Sequence, residues 1–238
     1  MAESIDISEE TRGILAGVST ATIATVLFGR GLRNTVLHGL YSLAPAKENM
    51  VGTAFTVRYI PAREDIDVLD VYQDYDHPQR AAIEATPPGA VLVADCRGVD
   101  RAAAAGHILM TRLQVRGVAG FVSDGSMRDS AQVAALDMPV YVKSRCAMTN
   151  LAAHHAVDIN IPIGCAGVAI YPGDWLVGDA DGVICIPRQI SHAVAKECDD
   201  LQDTERFVTA DVRNGAPLRN TYPPSETTRE RYRAMKER

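Results

Sequence analysis

Residues 91–129 constrain this chain most. They read VLVADCRGVDRAAAAGHILMTRLQVRGVAGFVSDGSMRD. An apolar strand ends at Asp95 in a short polar loop. An Ala-rich helix over residues 101–113 follows, with Gly106 inside it, and then a second apolar strand over 118–123. Glycine in a helix costs about 1 kcal/mol relative to alanine, so Gly106 implies close packing or close approach of a ligand. Loops at the carboxyl ends of neighbouring strands form ligand crevices in α/β folds. Here those loops are 95–101 and 124–129, and the second ends in Arg128 and Asp129. A guanidinium beside a carboxylate suits a small anionic substrate and a divalent metal.

The rest of the chain fits around that unit. Residues 8–29 read as helical, with Ser19 or Thr20 as the cap of the segment containing Ile23, Val26 and Leu27. Residues 51–60 have the β-branched and aromatic character of a strand. Residues 61–78 are acidic, with Ile66, Val68, Leu69 and Val71 placed to cover a core edge. Short helices are expected over 79–86 and 130–136, and a strand over 139–142. From Val157 the pattern changes to short strands punctuated by Pro172-Gly173-Asp174 and Asp181-Gly182, which reads as a layer of hairpins. Helix returns over 190–212, and the tail from Asn214 is polar and ends basic. Strand–helix alternation followed by hairpins implies one mixed α/β sandwich with a second β layer.

Composition narrows the class. At 238 residues the chain suits a single domain with terminal extensions, and a net charge of -6 argues against nonspecific nucleic-acid binding. No apolar run approaches the roughly 20 residues needed to span a bilayer, and the acidic start MAESIDISEE lacks the pattern of a signal peptide. The expectation is a cytoplasmic protein with no membrane partner. The five cysteines show no CxxC spacing and read as buried, reduced thiols.

Several residues carry candidate chemistry. Arg128 can grip a carboxylate with two parallel donors, and Asp129 is a hard oxygen ligand for magnesium or manganese. A second reading has Asp129 capping the following helix, with Gln132 completing a capping box. Backbone amides of the 95–101 loop can receive an anion, with Gly98 allowing close approach. His107 reads as a general base, a metal ligand or a packed helix residue. In a strand His154 and His155 face opposite sides and cannot chelate together. Asp174, Asp179 and Asp181 neighbour Gly and Pro and read as turn residues. Glu197 and Glu205 read as solvated, or as carboxylates that a protruding helix delivers to a neighbouring subunit.

DCRGVDRAAAAGH, DGSMRDS and YPGDWLVGDADGVICIP in this order resemble the RraA-like family. That group includes 4-hydroxy-4-methyl-2-oxoglutarate/4-carboxy-4-hydroxy-2-oxoadipate aldolases and regulators of ribonuclease E. The resemblance implies an α/β/β sandwich of the swivelling type, a single domain over residues 1–238 with its core at about 15–215, assembled as a homotrimer or a homohexamer with sites at subunit interfaces. It implies a class II pyruvate aldolase that cleaves a 4-hydroxy-2-oxo acid with magnesium or manganese and also decarboxylates oxaloacetate. Arg128 would steady the pyruvate enolate. Amides of Gly106, His107, Ile108 and Leu109 would hold a carboxylate. Asp129 would ligate the metal, joined by Glu205 from the adjacent subunit. The family signature is an acidic residue, twenty spacers and Arg-Asp; here residues 108–127 are the spacers, and His107 replaces the acid. Gln132 replaces a further acidic residue three positions after Asp129. These departures leave two alternatives open: a regulator without chemistry that binds an RNA-processing enzyme, and a lyase or hydratase on sugar-acid derivatives.

Overall fold

The structure, a computed structural model, describes residues 9–45 and 48–236; the first eight residues and the last two of the basic tail lie outside it. Two helices, α1 (Glu9–Ala16) and α2 (Thr20–Gly29), occupy the N-terminal segment that reads as helical. Ser19 separates them. Its backbone is extended and its Oγ accepts the Thr22 amide at 3.1 Å, so Ser19 and not Thr20 is the N-cap. The strands β1 (Val36–Leu37), β2 (Tyr41–Ser42) and β3 (Met50–Pro61) follow. A 3-10 turn at Leu69–Gln73 leads to α3 (Pro78–Ala85), whose first residue is proline, and then to β4 (Ala90–Asp95).

The next segment departs from expectation. Residues 101–113 are not one helix. Ala103–Ala105 form a short strand, β5, and Gly106 is the N-cap of α4 (His107–Val115). Helix preference separates ordinary residues by less than about 1 kcal/mol each, and pairing overrides it. β5 lies parallel to the end of β6 (Gly120–Met127), with Ala103 opposite Ser126 and Ala105 opposite Met127. β6 is longer than the pattern implies, so residues 124–127 are buried strand and not loop. After it come α5 (Ser130–Ala134), β7 (Val140–Arg145) and β8 (His154–Ile159). The hairpin β9 (Ile163–Cys165) and β10 (Val168–Ile170) precedes β11 (Trp175–Gly178) and β12 (Val183–Ile186). The chain closes with α6 (Ser191–Arg213) and α7 (Glu226–Lys236); the latter is a helix in the segment that reads only as polar tail.

One sheet runs β1-β12-β11-β3-β4-β6-β7-β2, with β5 added to β6 and β8 to β3. Strands β3, β4, β6 and β7 are mutually parallel, and β11 and β12 join antiparallel on the other side of β3. Side-chain alternation sorts the core. Leu92 and Ala94 of β4 pack with Met110, Leu113 and Phe121 beneath the helices, while Val91 and Val93 face Ile163, Ile170 and Leu176. The latter core draws on both halves of the sheet and on the β9–β10 hairpin. The sheet therefore curls over itself and gives the expected α/β/β layering in a single domain. A third core, with Leu15, Leu27, Val177, Ile184 and Val194, seats α1, α2 and α6 on the outer face of the antiparallel half.

The acidic segment does not cover a core edge. Ile66, Val68 and Leu69 are 43%, 48% and 71% exposed. Among the described residues no single helix is long and apolar enough to cross a membrane.

Candidate active site

Arg128 and Asp129 occupy the junction of β6 and α5. Asp129 adopts a left-handed backbone, φ 55° and ψ 34°, a region that Asp tolerates better than most residues. The turn swings its carboxylate away from α5, and Asp129 makes no capping bond to its own helix. Its Oδ2 instead accepts the backbone amide of His107 at 3.2 Å. Asp129 thus caps α4, whose own N-cap, Gly106, has no side chain to do so. A carboxylate at a helix N-terminus is favoured by the helix dipole. The capping-box reading fails on this geometry, since Gln132 is exposed and takes no part.

Gly106 also sets the spacing. A Cβ there would lie 2.6 Å from Asp129 Oδ2 and 2.8 Å from Arg128 Nε, so both side chains rest against its bare backbone. The Gly106 backbone is extended, at φ -138°, so space and not torsion requires glycine. Arg128 Nε and Asp129 Oδ2 are 3.6 Å apart, and their side chains are 44% and 42% exposed. Such a loose, wet pair is worth less than about 1 kcal/mol. Arg128 makes no side-chain hydrogen bond among the described residues, so its donors remain free for a ligand.

These groups line a cleft of about 250 Å³ together with Ile108 and Leu109. The amides of Ile108 and Leu109 lie in the first turn of α4, where no helical carbonyl stands four residues back. A guanidinium and helix-terminal amides around one hollow make an anion site. The rest of the lining was not legible in the sequence. It consists of Tyr72, Gln79, Arg80, Thr149 and Asn150, from the acidic segment, α3 and the turn before β8. No motif marks these residues; topology alone collects them.

Other candidates fall elsewhere. The His107 side chain does not line the cleft, and neither does Glu205, whose Oε2 accepts Thr22 Oγ1 at 3.4 Å on the α2–α6 face. The resemblance assigns Glu205 and Asp129 to different subunits, so one chain would not bring them together. Among the described residues no group of three or more His, Cys, Asp or Glu side chains is placed to hold a metal. The 95–101 loop is not an open anion site. Asp124 takes its Cys96 and Gly98 amides at 2.6 and 2.8 Å, and Asp95 takes the Arg97 amide at 2.9 Å. Burial pushes the Asp95 carboxyl above its ordinary pKa.

His154 and His155 point to opposite sides of β8, as the alternation requires. His154 Nε2 bonds the Ala102 carbonyl at 3.2 Å, and His155 Nδ1 meets Asp67 at 2.7 Å. Asp174 and Asp179 each hold a turn amide, those of Tyr171 and Asp181, and each also reaches the start of a helix, at Arg188 and Thr20 respectively. All five cysteines are free thiols; four are buried and Cys146 is half-buried.

Comparison with known proteins gives the family and the fold. A relative from Halalkalibacterium halodurans, whose name gives it provisionally as a 4-hydroxy-4-methyl-2-oxoglutarate aldolase, is 36% identical over 181 residues, 72% of this chain and 78% of that protein. An uncharacterized protein from Pseudomonas syringae superposes with a TM-score of 0.80, covering 91% of this chain and 94% of its own, at 24% identity, a likeness of fold alone. Streptomyces coelicolor RraAS2, described as an unusual member of the RNase ES inhibitor RraA protein family, superposes with a TM-score of 0.74 at 27% identity, covering 84% and 95% of the two chains. The sequence model of the RraA-like family, Aldolase/RraA, matches residues 16–185, a span that holds both walls of the cleft and the strands beneath them. The chain belongs to the RraA-like family.

Proposed function

We propose that this chain is a lyase that cleaves a small 4-hydroxy-2-oxo acid to pyruvate and a second carbonyl compound. One observation carries the reading: Arg128, which makes no side-chain hydrogen bond among the described residues, shares a cleft with Ile108 and Leu109 in the first turn of α4. The substrate carboxylate sits against the Ile108 and Leu109 amides. The C3–C4 bond breaks, its electron pair moves toward the 2-oxo oxygen, and the 4-hydroxyl loses its proton. Arg128 faces the charge that develops on the enolate oxygen, the class of interaction that most lowers acyl and enolate barriers. Asp129 is the one carboxylate among the described residues that line the cleft, and it accepts the hydroxyl proton there. Protonation at C3 then yields pyruvate. His107 contributes its backbone amide to positioning Asp129. Loss of carbon dioxide from oxaloacetate leaves the same enolate.

A bound Mg²⁺ or Mn²⁺ would polarise the 2-oxo group. Asp129 is the donor this chain offers at the cleft, and the resemblance adds Glu205 of a neighbouring copy within a trimer or hexamer. One carboxylate does not make a ligand set for a resident metal.

The test is pyruvate release from 4-hydroxy-2-oxoglutarate or oxaloacetate, followed with lactate dehydrogenase, with added Mg²⁺ or Mn²⁺ and with chelator. Arg128→Ala is expected to lose on the order of 100-fold in rate. Equal turnover by wild type and Arg128→Ala refutes the assignment. A second reading, a regulator that binds an RNA-processing enzyme, is supported by the likeness to RraAS2. Capture of a ribonuclease together with no turnover under any metal condition would favour it.

A further inference from the structure

We infer that Arg80 is a specificity-determining residue of this cleft: its guanidinium receives a second carboxylate, so that the ligand is a 2-oxo diacid. The inference rests on the anion site proposed at Arg128 and names what binds beyond it.

Arg80 is the third residue of α3 and lines the cleft with Arg128 and Asp129. It is half-buried, yet its guanidinium makes no hydrogen bond or ion pair with a described residue. None of its nitrogens is buried without a partner; unbonded and not buried, they reach the solvent of the cleft. The carboxylates of the acidic segment before it are engaged elsewhere. Asp65 pairs with Arg63, Asp67 with His155, and Asp74 accepts the Asp76 amide. Helix electrostatics do not explain a cation at this position. The first turn of α3 contains no acidic residue, and the free amides of a helix N-terminus repel positive charge. An aromatic ring holds the group instead. Arg80 Cζ stands 4.9 Å from the centroid of the Tyr72 ring, and the Tyr72 hydroxyl is tied to Thr149 Oγ1 at 2.6 Å. The 3-10 turn fixes one end of Tyr72 and Thr149 fixes the other. A guanidinium laid on such a platform keeps its in-plane donors free for a carboxylate.

The two guanidiniums of the cleft are seated on different elements. Arg128 rests against the bare Gly106 backbone at the start of α4, and Arg80 rests on Tyr72 at the start of α3. Asp129 stands 3.6 Å from Arg128 and offsets part of its charge, whereas Arg80 has no counter-ion among the described residues. The cleft volume of about 250 Å³ is about eight times the share of one water in the liquid, more than pyruvate alone fills. In the proposed cleavage the pyruvate half lies at Arg128 and the α4 amides, so Arg80 receives the half that departs. That half carries its carboxylate on C4, and the second product is then itself an oxo acid. An uncharged C4 substituent leaves Arg80 unpaired once the ligand has displaced its water, which costs affinity.

The experiment is calorimetric titration of the purified full chain, in Mg²⁺ buffer, with 2-oxoglutarate and 2-oxopentanoate. These acids share one chain length and differ only in ending with a carboxylate or a methyl. Wild type is expected to bind 2-oxoglutarate about tenfold or more tighter, the worth of a charge-assisted hydrogen bond. Arg80→Met and Arg80→Gln, two neutral replacements of which either suffices, should remove the difference, while Arg128→Ala should weaken both acids alike. Equal binding of the two acids by wild type, no binding of either, or an unchanged preference in a folded neutral variant overturns the inference. So does a neutral variant that lowers the urea midpoint and weakens both acids together, since that marks a purely structural role. Should neither variant fold, the wild-type preference decides alone. The readout is separate from turnover. A preference that depends on Arg80, without pyruvate release from 4-hydroxy-2-oxoglutarate, keeps this inference and removes the lyase. Pyruvate release from 4-hydroxy-2-oxopentanoate and 4-hydroxy-2-oxoglutarate at equal kcat/KM keeps the lyase and removes this inference.

Discussion

Gly106→Ala is the sharpest perturbation of the site. The new Cβ would stand 2.6 Å from Asp129 Oδ2, 2.8 Å from Arg128 Nε and 3.0 Å from Arg128 Cγ, where ordinary contact begins at 3.4 Å. The carboxylate must therefore retreat by about 0.8 Å and the guanidinium by about 0.6 Å. The carboxylate is the end of a half-exposed side chain, the half-exposed Arg128 side chain can turn as a whole, and the backbone at 106 is already extended, so the fold can absorb the change. Alanine also lowers the entropy of the unfolded chain, by about 0.4–1 kcal/mol in its favour. Net stability should stay within about 1 kcal/mol of wild type. Catalysis has no such slack. A misplacement near 1 Å can cost about 100-fold, or about 2.7 kcal/mol of barrier.

The assay pairs coupled pyruvate release with a urea titration of the same preparation. The expected result is kcat/KM lower by about 100-fold with an almost unchanged denaturation midpoint. Gly52→Ala is the contrast. Its Cβ would meet the Gly89 carbonyl at 2.6 Å, a backbone atom in the sheet that cannot swing aside, so it should lose stability outright. Full activity in Gly106→Ala would falsify the placement of chemistry at Arg128 and Asp129.

Other expectations follow from the same geometry. Arg128→Lys keeps the charge but not the planar fork, so it should recover less than about a tenth of wild-type kcat/KM; full recovery would show that charge alone suffices. Ser19→Ala removes the side-chain acceptor of the Thr22 amide and should cost about 1 kcal/mol in a urea titration, with turnover unchanged. Burial, the largest cause in each case, holds the His77 and His154 imidazoles below the ordinary histidine pKa of 6.5. The unfolded chain then takes up protons near pH 6.5 that the folded chain refuses, so stability is complete above that pH and declines as pH falls toward the folded values. Melting temperatures measured from pH 8 to pH 5.5 should drop, and His154→Gln should soften the slope; an equal slope in that variant contradicts the account.

Much of the parallel half was legible because continuous apolar runs leave few choices: β3, β4 and α3 lie where the residues put them. Turn chemistry also read correctly, as Asp174 and Asp179 show by bonding turn amides. The site was half legible. Arg128 and Asp129 announce themselves as adjacent opposite charges at a strand end, whereas Gln79 and Asn150 are separated from them by tens of residues and look like ordinary polar side chains. Only the folded path of β5 brings both amides to one carbonyl.

The misreading of β5 explains the site better than the correct readings do. Four alanines in a row favour helix, and a helix begun at residue 101 would bury Gly106 in its second turn. Tertiary pairing with β6 instead holds Ala103–Ala105 extended and delays the helix to His107. That delay creates a helix N-terminus at the carboxyl end of the parallel strands, with open amides and a cap lacking a side chain. Asp129 completes the cap from across the strand junction at the cost of a left-handed backbone. The small alanines leave their carbonyls reachable from the other side, where Gln79 and Asn150 attach. One three-residue strand thus sets where α4 begins and anchors the Gln79 and Asn150 amides beside it. Ala104→Val tests the argument: two added methyls in a residue 1% exposed should disturb Gln79 and Asn150 together while sparing the His107–Asp129 bond. The KM for pyruvate release should then rise before kcat falls. The reverse order would mean that β5 does not organise the cleft.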